Sequence, residues 1–159
     1  LLGPTFESRH IQFTLTSHED VYWISGHVDQ LQQLILNLLN NSVEAVQEQG
    51  KICVELRRIE NIQSVSDFVQ VEVSDSGVGI PRDRQAKIFE PFFTTKEFER
   101  GTGLGLALCK EIVAHHQGSI SIQSEEGQGA SFIIIFPLIP AKVPRKLGVE
   151  SERHEVGPK

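Results

Sequence analysis

The 159-residue chain has no methionine, even at position 1, a single tryptophan, a single tyrosine and two cysteines. Without an initiator methionine it reads as a domain excised from a longer protein. Cys53 and Cys109 lie far apart in apolar segments and form no CxxC pair, which argues against a disulfide framework or a zinc site and suits a reducing compartment. No apolar run approaches the roughly 20 residues that span a bilayer. The N-terminus LLGPTFESRH lacks the basic head and apolar core of a signal peptide. We therefore expect a cytoplasmic domain that makes no membrane contact, any anchor lying elsewhere in the full-length protein. Cations are also scarce. Fifteen Lys and Arg against 21 Asp and Glu give a net charge of -6, which argues against nucleic acid as a partner. What remains is ordinary: 39% hydrophobic and 23% charged residues, no internal repeat, and enough apolar surface for one globular core.

Alternation from Ile11 to Leu15 reads as a half-buried strand, and Val21 to Ile24, after the polar turn SHED, as its hairpin partner. The period turns helical from about Val28 to Gln49, with Leu31, Leu34, Ile35, Leu38, Ala45 and Val46 on an apolar face. Gln33, Asn37, Asn41, Glu44 and Glu48 form a separate polar stripe. Two alternating segments, Ile52–Glu60 and Phe68–Asp75, predict an antiparallel pair, and Pro81 opens a short helix over Arg82–Ile88. A further helix starts near Gly103 with Leu104, Leu108, Ile112 and Val113 at core spacing. A last hairpin joins Ser119–Ser124 to Ala130–Phe136. This order segregates strands from helices and predicts an α/β fold, a two-layer sandwich with a mixed, mostly antiparallel sheet and helices on one face. Residues 1–9 read as a leader, 10–140 as the domain, and 141–159 as a flexible tail or linker.

Four polar signals stand out, the first three each with a plain alternative. The cluster Gly101-Thr-Gly-Leu-Gly-Leu106 precedes a helix whose free N–H groups suit phosphate oxygens, or it is simply a flexible loop. Asp75-Ser-Gly-Val-Gly-Ile80 ends a strand with a carboxylate that can accept from an exocyclic amine and glycines that admit a flat ring, as adenine requires, or it is a simple turn. Asn37 and Asn41, four apart, offer amides to a hard cation and to phosphate, or face solvent. Phe89-Glu-Pro-Phe-Phe93-Thr-Thr-Lys96 anchors with its aromatics the start of a lid over Lys96 to Gly101, and Lys96 can reach phosphate as a point charge.

In this order, Asn41 on its helix, DSGVGI, FEPFFTTK, GTGLGLALCKEIV and GQGASF closely resemble the N, G1, F, G2 and G3 boxes of the catalytic ATP-binding domain of sensor histidine kinases, within the GHKL ATPase superfamily. The resemblance covers residues 10–137 and implies the Bergerat ATP-binding fold, with ATP and Mg²⁺ as cofactors. It places Asp75 on the adenine amine, and Gly77, Gly79 and Ile80 along the base. It makes Asn41 the magnesium ligand, with Asn37 one turn earlier holding phosphate or the ion's water shell, and Glu44 and Ala45 in the same pocket. Lys96 and the N–H groups of Gly101, Thr102, Gly103, Leu104, Gly105 and Leu106 become phosphate contacts, and Ser131 sits near the adenine. Two departures matter. Glu44 stands where many members carry lysine, leaving Arg100 as a substitute, and Asn37 replaces the glutamate base of hydrolysing members, which favours transfer over hydrolysis. The implied partners are a histidine-containing dimerisation domain, on which the phosphoacceptor histidine lies outside this chain, and a response regulator receiver domain. His10, His18, His115 and His116 read as surface or core residues. The alternatives are an anti-sigma-type serine kinase, an ATPase of the same superfamily, or a nucleotide-binding module without phosphotransfer.

Overall fold

The computed structural model describes residues 3–19, 21–60, 67–94 and 102–139. In chain order they form α1 (Gly3–Ser8), β1 (Gln12–Ser17), α2 (Val28–Ala45), β2 (Lys51–Ile59), β3 (Phe68–Asp75), α3 (Arg82–Gln85), α4 (Gly105–His115), β4 (Ser119–Ser124) and β5 (Ala130–Pro137). The tail expected from residue 141 lies outside the described residues.

Alternation decides which side of the sheet is dry. Val69, Val71 and Val73 of the central strand β3 share one face, with Val71 between Leu56 and Ile134 and Val73 between Val54 and Phe132. Leu34 and Leu38 of α2 and Cys109, Ile112 and Val113 of α4 complete the same cluster. The strand order is β1-β2-β3-β5-β4, antiparallel except for β1 with β2, so the expected mixed sheet with helices packed on it is what forms. Packing rather than propensity holds α2 together. Its interior asparagines, Asn37, Asn40 and Asn41, cost about 2 kcal/mol in all relative to alanine. Burial of Leu34 and Leu38 contributes about 1.5–3 kcal/mol each and outweighs that cost. Burial also pushes the Cys109 thiol up to about 11, which leaves it an inert core group.

Two expectations need correction. The N-terminal hairpin does not form: β1 pairs in parallel with β2, so β1, α2 and β2 make a βαβ unit. Residues 21–24 are not a strand but cross from β1 to α2, with Tyr22 and Ile24 packed on the core and the Tyr22 hydroxyl donating to the Leu56 carbonyl at 3.2 Å. Alternation reported a half-buried segment correctly, but a crossover satisfies it as well as a ladder does. Within residues 1–9, α1 stacks Phe6 on Phe13 of β1, with ring centroids 5.1 Å apart. Leu104 and Leu108 are 42% and 40% exposed, and the buried residues of α4 are Ala107, Cys109, Ile112 and Val113. A helix start that is apolar nearly all round does not reveal which side will be covered.

Gly26 sets the approach of α2 to α4. The buried His116 donates from Nδ1 to the Ile112 carbonyl (2.7 Å) and accepts at Nε2 from the His27 N–H (3.0 Å), joining the end of α4 to the start of α2. A Cβ on Gly26 would lie 2.3 Å from His116 Cδ2. Gly26→Ala should therefore displace a doubly bonded ring and cost about 2 kcal/mol, measured as a lower thermal midpoint. An unchanged midpoint would mean that His116 contributes nothing at this joint.

Candidate functional site

A cleft of about 790 Å³ opens between the C-terminal half of α2, the end of β3 and the start of α4. Its apolar lining includes Ile80, Ile88, Leu106, Ala130 and Phe132. Asp75 supplies the charge at its floor. As the last residue of β3, paired with Ile52 and Ala130, it stands on the helix-covered side, two residues on from Val73. Burial pushes its carboxyl above the ordinary 3.8, against hydrogen bonds from Gly77, Ser42 and Ala130 that favour the ion. The Gly77 N–H donates to Oδ1 at 2.9 Å and the Ser42 hydroxyl to Oδ2 at 3.2 Å. A carboxylate so held keeps lone pairs for a donor in the cleft.

The loop after Asp75 rests on the C-terminus of α2, where the Val78 N–H donates to the Ala45 carbonyl at 3.2 Å. Gly79 (φ +68°) then passes so close to the turn after β4 that a Cβ would lie 2.0 Å from the Glu125 carbonyl oxygen. On the opposite wall, Thr102, Gly103, Gly105 and Leu106 bring the first turn of α4 to the cleft, and the amides of a helix's first turn lack intrahelical acceptors. Asn41 lines the cleft between these walls, and no described side chain hydrogen-bonds its amide.

Residues 26–140 match the family of histidine kinase-, DNA gyrase B- and HSP90-like ATPases. The chain belongs to this family. It is 42% identical over 139 residues to the sensor histidine kinase ZraS of Salmonella typhimurium, covering 87% of this chain and 28% of ZraS. The catalytic domain of the histidine kinase ThkA superposes with a TM-score of 0.74 at 31% identity, over 87% of this chain and 88% of that domain. A structure of ThkA in complex with the response regulator protein TrrA matches with a TM-score of 0.68 at 28% identity, over 89% of this chain and 38% of that one. The protein is thus a histidine-kinase catalytic domain, spanning a little over a quarter of its full-length relative.

Within this kinase domain the fold brings Asn41, Glu44, Ala45, Asp75, Gly79, Ile80, Thr102, Gly103, Gly105 and Leu106 to one cleft. Gly77 is buried beneath it, donating to Asp75. Asn37 sits at its edge, accepting from Gln33 Nε2 (2.8 Å) and donating to the Gly105 carbonyl (3.4 Å), so its amide ties α2 to α4. Leu104 is exposed rather than facing the cleft. Ser131 is on the far side: because Ala130 and Phe132 line the cleft, the residue between them points to the opposite face, beside Ser74 and Gln123. Lys96, Arg100 and Gly101, and with them the expected lid, lie outside the described residues. Of the three aromatics expected to anchor it, two pack inward. Phe89 meets Phe132 edge to face at 6.5 Å and Phe93 packs on the core, whereas Phe92 is 75% exposed at φ +65°. The Phe92 N–H donates to the Gly103 carbonyl at 2.9 Å, which joins the two ends of that segment.

Ser42 and Gly129 join the site only through the fold. Ser42, fully buried in the apolar face of α2, gives its hydroxyl to Asp75. A small polar residue on a buried helical face was the available signal. Gly129 packs on the Asp75 carbonyl, a contact 54 residues away in sequence that no local pattern contains.

Proposed function

We propose that the cleft binds Mg-ATP and presents its γ-phosphoryl group to a histidine on a separate dimerisation domain, from which a response regulator receiver domain would take it. The observation that carries this reading is Asp75: a half-buried carboxylate at the floor of an apolar cleft, with the uncapped start of α4 on the facing wall. One end suits an exocyclic amine on a flat base and the other a polyphosphate. The donor set also fits a magnesium ion. Among the described residues no cluster of three His, Cys, Asp or Glu could hold a metal, and Asn41 offers a single amide oxygen, as expected for an ion that takes its remaining ligands from phosphates and water. When bound, Mg²⁺ would neutralise charge on the phosphates.

The residues of the domain position rather than react. Asp75 orients the base, the first turn of α4 receives the phosphates, and Glu44 lines the same cleft. Lys96, Arg100 and Gly101 are assigned to the phosphate side from the sequence resemblance. Asn37 takes no proton from water, because an amide is not a base; its Nδ2 instead donates to the Gly105 carbonyl, and this supports transfer over hydrolysis. The response regulator bound to the related ThkA supports the receiver domain as the next acceptor. No described helix is long and apolar enough to cross a membrane.

Calorimetry tests the reading. ADP binding should tighten with magnesium, and Asn41→Ala should remove about tenfold of that gain while leaving metal-free binding in place. A magnesium effect that survives Asn41→Ala would move the metal elsewhere. A folded sample that binds neither ADP nor ATP would refute nucleotide binding itself.

A further inference from the structure

We propose that Gln85 is a positioning residue for nucleotide binding, a clip that holds the base loop against the end of β4; the proposal rests on the nucleotide reading of the cleft. Gln85 is the last residue of α3 and is half-buried among exposed neighbours. Its Nε2 donates to the Ile80 carbonyl at 2.7 Å and to the Ser124 carbonyl at 2.9 Å, so both amide hydrogens are used on two separate segments. The Ile80 N–H in turn donates to Ser124 Oγ at 2.8 Å, and that hydroxyl donates to the Gly129 carbonyl at 2.7 Å. Ile80, whose side chain lines the cleft, is thus gripped through both backbone groups.

The grip is needed because no ladder reaches this point. The β3–β5 pairing ends at Asp75 and Ala130 and the β4–β5 pairing at Ser124 and Ala130. Residues 76–80 and 125–129 then meet as two loops, joined besides by the Gly127 N–H to the Val78 carbonyl at 2.7 Å. With only four residues, α3 has little cooperativity of its own to hold them. Ordering a glutamine side chain costs about what two such bonds return, so the clip adds little to global stability. Its effect is on the shape of the loop that faces the base, where the ordering cost would otherwise fall on nucleotide binding.

The test compares the parent domain with Gln85→Met, which keeps the length and loses both donors, and Gln85→Lys, which restores donors. Gln85→Met should weaken ADP binding about fivefold to tenfold at an unchanged melting temperature. It should also speed amide exchange at Ile80 and Gly127 but not in β3. Gln85→Lys should recover most of the affinity. Equal affinity in parent and Gln85→Met would overturn the clip alone. So would a weakening that comes with loss of global protection, or one that lysine fails to rescue. No binding by the folded parent would overturn the nucleotide reading, and the clip with it.

Discussion

Asp75→Asn is expected to weaken nucleotide binding about 100-fold in a domain that folds as well as its parent. Asparagine can still accept from the Gly77 N–H through Oδ1 and turn its Nδ2 toward the Ser42 hydroxyl, so these two contacts survive. What it cannot do is accept from an amine in the cleft while its own N–H₂ points there. Two facing donors should cost about 100-fold in ADP affinity, close to 2.7 kcal/mol. Calorimetry would read the loss, and an affinity within threefold of the parent would refute the assignment of Asp75 to the base.

The same substitution carries a pH signature. Because burial raises the Asp75 carboxyl above 3.8, the folded state holds this proton more tightly than the unfolded chain does. The stability from that proton is fully present below 3.8 and is lost as pH rises through the raised folded value. Asp75→Asn has nothing to lose in this window. Its stability relative to the parent should therefore increase as pH rises from 3.8 through the folded value and level off above it. At neutral pH the nucleotide-free variant should melt no lower than the parent. Paired urea titrations across this range would check it, and a relative stability that falls with rising pH would show that the hydrogen bonds, not burial, dominate Asp75.

Gly129→Ala should be the most damaging single substitution outside the core. Gly129 adopts φ +90°, and a Cβ there would lie 1.9 Å from the Asp75 carbonyl oxygen. Backbone on both sides leaves no flexible group to move aside, so the start of β5 or the end of β3 must shift. We expect a loss of about 3 kcal/mol or more, with nucleotide affinity falling as Asp75 moves. Gly127 is the control: its φ of +80° is similar, but nothing lies within 4 Å of its Cβ position. Gly127→Ala should cost only the left-handed backbone, about 1–2 kcal/mol. Urea midpoints that are equal for the two variants would rule out the contact with Asp75 as the cause of the difference.

The site was legible from sequence where chemistry and spacing coincide on one element. Asp75 closes an alternating strand, Asn41 lies one turn beyond Asn37 on a polar stripe, and the glycines open α4, so these residues announce themselves locally. Ser42 and Gly129 do not, because their reason to be serine and glycine is Asp75, which is distant in the chain. Ser131 was misplaced for the opposite reason: it belongs to the right motif, yet strand alternation turns it from the cleft once Ala130 and Phe132 face inward. The sequence alone placed strands at Ile52–Glu60, Phe68–Asp75, Ser119–Ser124 and Ala130–Phe136, each within a residue of those formed, together with the two long helices and the motif order, since periodicity and turn chemistry are properties of neighbouring residues. Only the tertiary structure decided that β1 runs parallel to β2, that Leu104 and Leu108 stay exposed, and that Gln85 and Ser124 fasten the base loop. Each of these depends on which surface covers a segment, and a periodic pattern records that a face is covered without recording by what.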